Sequence, residues 1–137
     1  MNDGPILIVD DDMDDREFLQ EAWKDLPFEN ELIFFDTGLE VLDYLKSEQV
    51  TPFLILCDVN LPKLNGFQLK EKIRESAFTN HKSIPFVFWS TSASVEQIQT
   101  AYSPGVNGFF IKESTFEKVK ESWVDIVKYW RKSRVPE

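Results

Sequence analysis

Polar residues with complementary chemistry follow four short apolar runs of the sequence. Three consecutive aspartates, residues 10–12, follow the first run, and Asp58, Ser90 and Lys112 follow three later ones. Carboxylates gathered at one place repel one another, so such a group either takes up protons or binds a cation. Mg²⁺ suits oxygen ligands of this kind, because it takes one or two carboxylates, keeps several waters and bridges to phosphate oxygens.

A lysine near such a group would act as a point charge that pairs with a phosphoryl oxygen, and a serine hydroxyl would donate a further hydrogen bond. These parts together predict phosphoryl transfer to a carboxylate. The acceptor attacks in line, while the metal ion and the lysine absorb charge on the transferring group. This chemistry requires that Asp10, Asp11, Asp58, Ser90 and Lys112 meet in space.

The apolar runs have the length of β-strands and are apolar on both faces, which is typical of buried parallel strands. They cover residues 6–9, 32–35, 53–57, 86–89 and 109–111. Segments with apolar residues at helical spacing lie between them and predict helices near residues 13–25, 38–47, 66–77, 94–103 and 115–132. Five strands alternating with five helices favour a parallel α/β sheet covered on both faces. Ligands of such sheets bind outside the carboxyl ends of the strands, where the polar residues stand.

The acidity of the chain is concentrated near its start. Of the formal net charge of -9, residues 1–30 contribute most, with ten acids against two bases. Asp12, Asp14 and Asp15 are predicted to be the N-cap and the surface charge of the first helix, because acids favour a helix N-terminus. An acidic chain is a poor partner for nucleic acid, which binds clustered Lys and Arg.

Length and composition favour one folded domain over residues 1–137, because 42% hydrophobic residues are ample for a core. The single cysteine, Cys57, excludes an internal disulfide, and no Cys/His cluster could hold zinc. The sequence shows neither a basic leader nor an apolar stretch of about 18 residues. We therefore predict a cytoplasmic protein with no membrane partner.

Five motifs in chain order resemble those of the receiver domains of two-component response regulators. They are Asp10-Asp11 after the first strand, Asp58 in Cys57-Asp58-Val59-Asn60-Leu61-Pro62, Gly66, Ser90, and Lys112 at the end of Gly108-Phe109-Phe110-Ile111-Lys112. The resemblance runs from Ile6 to about Trp130. It implies a flavodoxin-like (βα)5 fold of three layers, with a doubly wound parallel sheet in the strand order 2-1-3-4-5.

The resemblance also implies a role for each motif residue. Asp58 would accept the phosphoryl group and, with Asp10, Asp11 and the backbone carbonyl of Asn60, would hold Mg²⁺. Lys112 would pair with the phosphoryl group. The switch between two conformations would use Ser90 and Phe109. The domain would not be an enzyme beyond its own phosphorylation and dephosphorylation.

A narrower resemblance points to single-domain receivers that partner bacterial phytochromes and hybrid sensor kinases. Its marks are Asp14-Asp15, Val41-Leu42-Asp43-Tyr44-Leu45 and the aromatic last helix that ends Tyr129-Trp130. The implied partners are a sensor histidine kinase or a histidine phosphotransfer protein, and a downstream protein target. No output domain is expected, and the aromatic last helix leaves a homodimer open.

One position departs from the family pattern. The family usually has proline in a cis peptide after the lysine, whereas this chain has Glu113. A cis bond before a non-proline residue costs about 2.5–4 kcal/mol, so the Lys112–Glu113 bond is predicted to be trans. The placement of Lys112 is the role that this departure most affects. Glu113 also adds a carboxylate near an acidic site, which would weaken phosphoryl retention or favour the cation.

Two other functions fit parts of the sequence. Residues 6–12 also match the pattern of haloacid-dehalogenase-type phosphatases, in which Asp10 would be the nucleophile and Asp12 the general acid and base. The usual small residues after the second aspartate are missing, and the chain is short for such an enzyme. The Glu113 departure also admits a phosphorylation-independent interaction module on the same fold, which intact Asp11, Asp58 and Lys112 disfavour.

Overall fold

The computed structural model describes residues 3–47, 51–75, 84–91, 99 and 107–133. The strands are β1 Ile6–Val9, β2 Leu32–Phe35, β3 Leu54–Asp58, β4 Phe86–Ser90 and β5 Gly108–Ile111. The helices among these residues are α1 Met13–Lys24, α2 Gly38–Ser47, α3 Gly66–Glu75 and α4 Phe116–Lys132. The helix predicted at 94–103 lies, apart from residue 99, outside the described residues. Asp58 and Ser90 end their strands instead of following them, which corrects the predicted boundaries by one residue.

The five strands form one parallel sheet in the order β2-β1-β3-β4-β5. Every residue of β1, β3 and β4 is buried, whereas β2 and β5 are at most half-buried because they form the edges. The predicted flavodoxin-like fold and strand order are confirmed. The apolar runs predicted the buried parallel strands, because a strand covered on both faces has no need of polar residues, whereas the strand order came from the family resemblance.

Side-chain alternation along the strands divides the core between two faces of the sheet. On one face α2 and α3 pack over a cluster that includes Val9, Cys57 and Phe88. On the other face α1 and α4 pack over a cluster that includes Ile8 and Trp89. The result is a three-layer α/β/α arrangement.

Each helix within the described residues begins at a side-chain cap. Asp12 accepts hydrogen bonds from the backbone N–H groups of Asp14 and Asp15, at 2.9 and 3.3 Å, as predicted. Thr115 caps α4 by accepting from the Lys118 N–H at 3.3 Å. Reciprocal pairs open the other two, Thr37 with Glu40 for α2 and Asn65 with Gln68 for α3. Because α1 follows β1 after three residues, its first turn lies at the carboxyl edge of the sheet.

None of the helices that the structure describes is long and apolar enough to cross a membrane.

Gly66 lets α3 approach the end of β3 closely. A Cβ at this position would lie 2.7 Å from the backbone oxygen of Asp58 and 2.8 Å from the Phe88 ring. Both distances are shorter than van der Waals contact allows, and the backbone oxygen cannot move without the strand. The absence of a side chain at Gly66 therefore fixes how Asp58 is presented at the sheet edge.

We expect Gly66→Ala to lower the free energy of unfolding by about 1–3 kcal/mol, because the added methyl group overpacks the α3–β3 contact. Gly108→Ala is the matched control, since a Cβ there lies 3.6 Å from its nearest neighbour. Urea unfolding of both variants measures the difference. Equal losses in the two variants would contradict the close-approach explanation.

Candidate functional site

Three carboxylates meet at the carboxyl edge of the sheet. One oxygen from each of Asp10, Asp11 and Asp58 lies within 4.8 Å of the others. Asp10 is fully buried and Asp58 nearly so, whereas Asp11 is exposed. The structure thus brings together the aspartates that the sequence singled out, in a set of oxygen ligands that suits a hard divalent cation.

Lys112 reaches into this cluster from the end of β5. Its ammonium Nζ lies 3.0 Å from Asp10 Oδ2, 3.0 Å from Asp58 Oδ2 and 2.6 Å from Asp15 Oδ2. The Lys112–Glu113 bond is trans, as predicted. The Lys112 N–H donates to the Ser90 carbonyl at 2.7 Å, which continues the β4–β5 pairing past the strand end. The missing proline therefore does not turn the lysine away from the site.

Burial and charge oppose each other at this site. Burial disfavours the charge on Lys112, but the carboxylates of Asp15, Asp10 and Asp58 outweigh it and hold the pKa of the ammonium above its usual value. Burial raises the pKa of Asp10, although the Asp12 N–H and the ammonium of Lys112 partly offset this. The lysine is thus a permanent cation that neutralises part of the carboxylate charge.

Asp15 corrects one sequence-based prediction. It was expected to be surface charge of α1, yet its carboxylate makes the shortest of the three contacts with Lys112. Its side chain is 30% exposed, more than those of Asp10 and Asp58. The prediction was wrong because it considered only the helix N-terminus. The position of Asp15 in the sequence could have revealed this contact. Because three residues separate the end of β1 from the start of α1, the first turn of α1 lies at the carboxyl edge of the sheet, where Lys112 also lies.

Trp89 is a second residue that the sequence analysis missed. Its indole Nε1–H donates to Asp10 Oδ2 at 3.3 Å, and the Lys112 ammonium lies 5.9 Å from the ring centroid. Strand alternation was the available signal. Ile8 and Trp89 share the face covered by α1 and α4, and Asp10 continues the alternation of Ile8.

The predicted switch residues lie on the other side of the strands. Phe109 packs with the cluster under α2 and α3, where its ring centroid lies 6.2 Å from that of Phe88. Ser90 is fully buried at the end of β4 and alternates to the same side as Phe88. The structure joins Ser90 to Lys112 through the backbone. The switch role of both residues stays a prediction.

Asn60 lies at the mouth of the site. It is exposed, and its backbone N–H donates to Asp58 Oδ1 at 3.0 Å. An open depression at this edge of the sheet is lined by Asp11, Val59, Asn60, Leu61, Pro62, Asn65 and Phe67.

Known proteins share this fold and these sequence features. A family model described as the response regulator receiver domain matches residues 6–123. The probable methanogenesis regulatory protein FilR2 of Methanothrix harundinacea is 31% identical over 129 residues, covering 91% of this chain and 82% of that protein. The crystal structure of the phosphorylated cyanobacterial phytochrome response regulator RcpA is similar with a TM-score of 0.85 at 28% identity, over 98% of this chain and 99% of that one. The Mn²⁺-bound form of response regulator Rcp1 gives a TM-score of 0.81 at 27% identity, with the same coverage.

We expect Lys112→Met to lower the free energy of unfolding by about 3 kcal/mol at neutral pH, because it leaves buried carboxylates without their cation. The loss shrinks at mildly acidic pH, because burial raises the pKa of Asp10 and its carboxylate can then take up a proton. Urea unfolding at the two pH values measures both effects. Lys118→Met removes an exposed lysine of α4 and serves as the control. A loss as small as the control's would show that Lys112 does not neutralise the site.

Proposed function

The chain belongs to the response regulator receiver domain family, and on this premise we propose that it accepts a phosphoryl group on Asp58 from a sensor histidine kinase or a histidine phosphotransfer protein. Receiver domains are signalling modules of two-component systems and not enzymes in the ordinary sense. One observation carries the proposal: the Asp58 carboxylate belongs to the three-aspartate cluster and also contacts the Lys112 ammonium, at 3.0 Å.

The donor set fits Mg²⁺. Oxygen atoms of Asp10, Asp11 and Asp58, together with the backbone carbonyl of Asn60, would hold the ion with waters in the remaining positions. When bound, the cation neutralises the charge that builds up between the acceptor and the phosphoryl oxygens. Receiver domains bind divalent metal ions, and the Mn²⁺-bound form of Rcp1 is a structural neighbour of this chain. Mg²⁺ as the ion of this chain is part of the proposal.

The transfer would proceed in line. A carboxylate oxygen of Asp58 attacks the phosphorus of a phosphohistidine, the P–N bond breaks, and the imidazole leaves with its electron pair. Lys112 pairs with an oxygen of the transferring group. The similarity to phosphorylated RcpA supports this reaction for the present chain.

Asp10 is poorly suited to the alternative of a phosphatase nucleophile. Its side chain is fully buried, Oδ1 accepts from the Asp12 N–H at 2.9 Å, and Oδ2 contacts Lys112 and Trp89. Asp12, which would be the general acid and base, already accepts two N–H groups as the cap of α1. Both oxygens of Asp58 also have partners, so burial is what favours Asp58 over Asp10 as the acceptor: no part of the Asp10 side chain is exposed, whereas 9% of the Asp58 side chain is.

The signal would leave through a shift between two conformations. The Ser90 hydroxyl would turn toward the phosphoryl group, and the half-buried Phe109 ring would follow it and change the surface around β5. A protein partner would read that surface. The three-carboxylate cluster disfavours the phosphorylation-independent alternative, because such a module would have no use for exposed Asp11 beside two buried aspartates.

We extend the proposal to domain and location. Residues 1–137 are proposed to form one receiver domain, since both core clusters share a single sheet. A cytoplasmic location is proposed because Cys57 is a buried free thiol, which needs no oxidising compartment.

Phosphorylation by phosphoramidate with Mg²⁺ should add one phosphoryl group to the wild-type chain and none to Asp58→Asn. Asp10→Asn should still be labelled, more slowly, because it keeps the acceptor and loses a metal ligand. Mass spectrometry of intact protein and of peptides measures the site. Labelling that survives in Asp58→Asn and disappears in Asp10→Asn would favour the phosphatase alternative.

Beryllofluoride with Mg²⁺ should change the fluorescence of Trp89, because its indole touches Asp10 and lies under Lys112. The change should require Mg²⁺ and should be absent in Trp89→Phe. That variant keeps the tryptophans at 23, 123 and 130, which serve as an internal control. If beryllofluoride changes neither the fluorescence nor the Mg²⁺ affinity of the wild-type chain, the proposed switch is overturned.

A further inference from the structure

Among the described residues, three carboxylates contact the Lys112 ammonium. Asp15 is the one of the three that does not belong to the candidate metal cluster. We propose that Asp15 is a positioning residue, which keeps Lys112 directed at the acceptor when Asp10 and Asp58 are engaged by the metal ion and the phosphoryl group. This inference rests on the proposed phosphoacceptor function. It gives Asp15 a functional role in addition to its place as an acidic residue in the first turn of α1.

The number of donors on the lysine explains why a third carboxylate matters. An ammonium has three N–H donors, and three carboxylates surround that of Lys112. Asp10 and Asp58 also belong to the metal cluster, so a bound cation weakens their hold on the lysine. Two donors then become available, and one of them can meet a phosphoryl oxygen. Asp15 retains the third.

The backbone that carries the Asp15 side chain is anchored at the start of α1. The Asp15 N–H donates to the N-cap Asp12, which ties its backbone to the start of α1. Leu19 and Trp23 of the same helix are buried, and Trp123 of α4 donates its indole N–H to the Leu19 carbonyl at 3.1 Å. Because α1 cannot slide over the sheet, Asp15 is a fixed partner for the long and otherwise rotatable side chain of Lys112.

Its setting separates this ion pair from ordinary surface pairs. Exposed pairs contribute little, because water and salt screen them. Here the Lys112 side chain is only 7% exposed, and its nitrogen lies 2.6 Å from the carboxylate oxygen. The neighbouring Asp14 has the same charge in the same turn but is exposed, which makes it a matched control.

Beryllofluoride affinity and the phosphorylation rate of Asp58, both at saturating Mg²⁺, test the inference. Asp15→Asn should weaken beryllofluoride binding and slow phosphorylation by phosphoramidate about three- to tenfold, as expected for the loss of one charge-assisted contact. Asp14→Asn should leave both unchanged. Asp15→Glu should recover part of the loss, because it restores the negative charge. Wild-type affinity and rate in Asp15→Asn would overturn the inference.

A double-mutant cycle distinguishes positioning from a general effect on stability. If Asp15 acts through Lys112, Asp15→Asn should not slow phosphorylation further in a Lys112→Ala background. Additive losses, or losses that follow the thermal stability of the variants, would contradict a positioning role. Failure of the proposed function looks different, because the wild-type chain would then neither bind beryllofluoride nor become phosphorylated.

Discussion

The repulsion among carboxylates at one edge of the sheet is the constraint that governs this molecule. Asp10 and Asp58 are buried there with exposed Asp11 beside them, an arrangement that is unfavourable unless a cation is close. The ammonium of Lys112 supplies that cation within the chain. The remaining negative charge leaves the site suited to a divalent ion.

The strand order determines how the lysine meets the aspartates. Lys112 follows β5, the edge strand, whereas Asp58 ends β3 and Asp10 follows β1. The side chain must therefore cross the end of β4, where Trp89 lies beneath it and donates its indole N–H to Asp10. Trp89 thus places an apolar ring beside the direct contact between Lys112 and Asp10. Burial of these groups strengthens each electrostatic contact, because water is kept away from them.

The fold also keeps the chemical site separate from the proposed readout. Asp10 and Trp89 face α1 and α4, whereas Phe109 packs on the face covered by α2 and α3. The backbone hydrogen bond from Lys112 to Ser90 lies between the two sides. Phe109, the residue of the proposed readout, is therefore three residues from Lys112 along the chain but packs on the opposite face of the sheet from Trp89.

The sequence by itself determined the elements and most of the site. Apolar runs predicted the buried strands, and the carboxyl-end rule then gathered Asp10, Asp58 and Lys112 at one edge. The cap at Asp12 also followed from local chemistry, because its partners lie two and three residues away. Only the tertiary structure decided which carboxylates Lys112 binds. Asp15 and Lys112 are 97 residues apart, and their contact depends on the packing of α1 and α4 over one face of the sheet, which no local pattern encodes. Periodicity reports which face a residue occupies, but the reach of a long side chain depends on distances between elements, and those are set by the packed core.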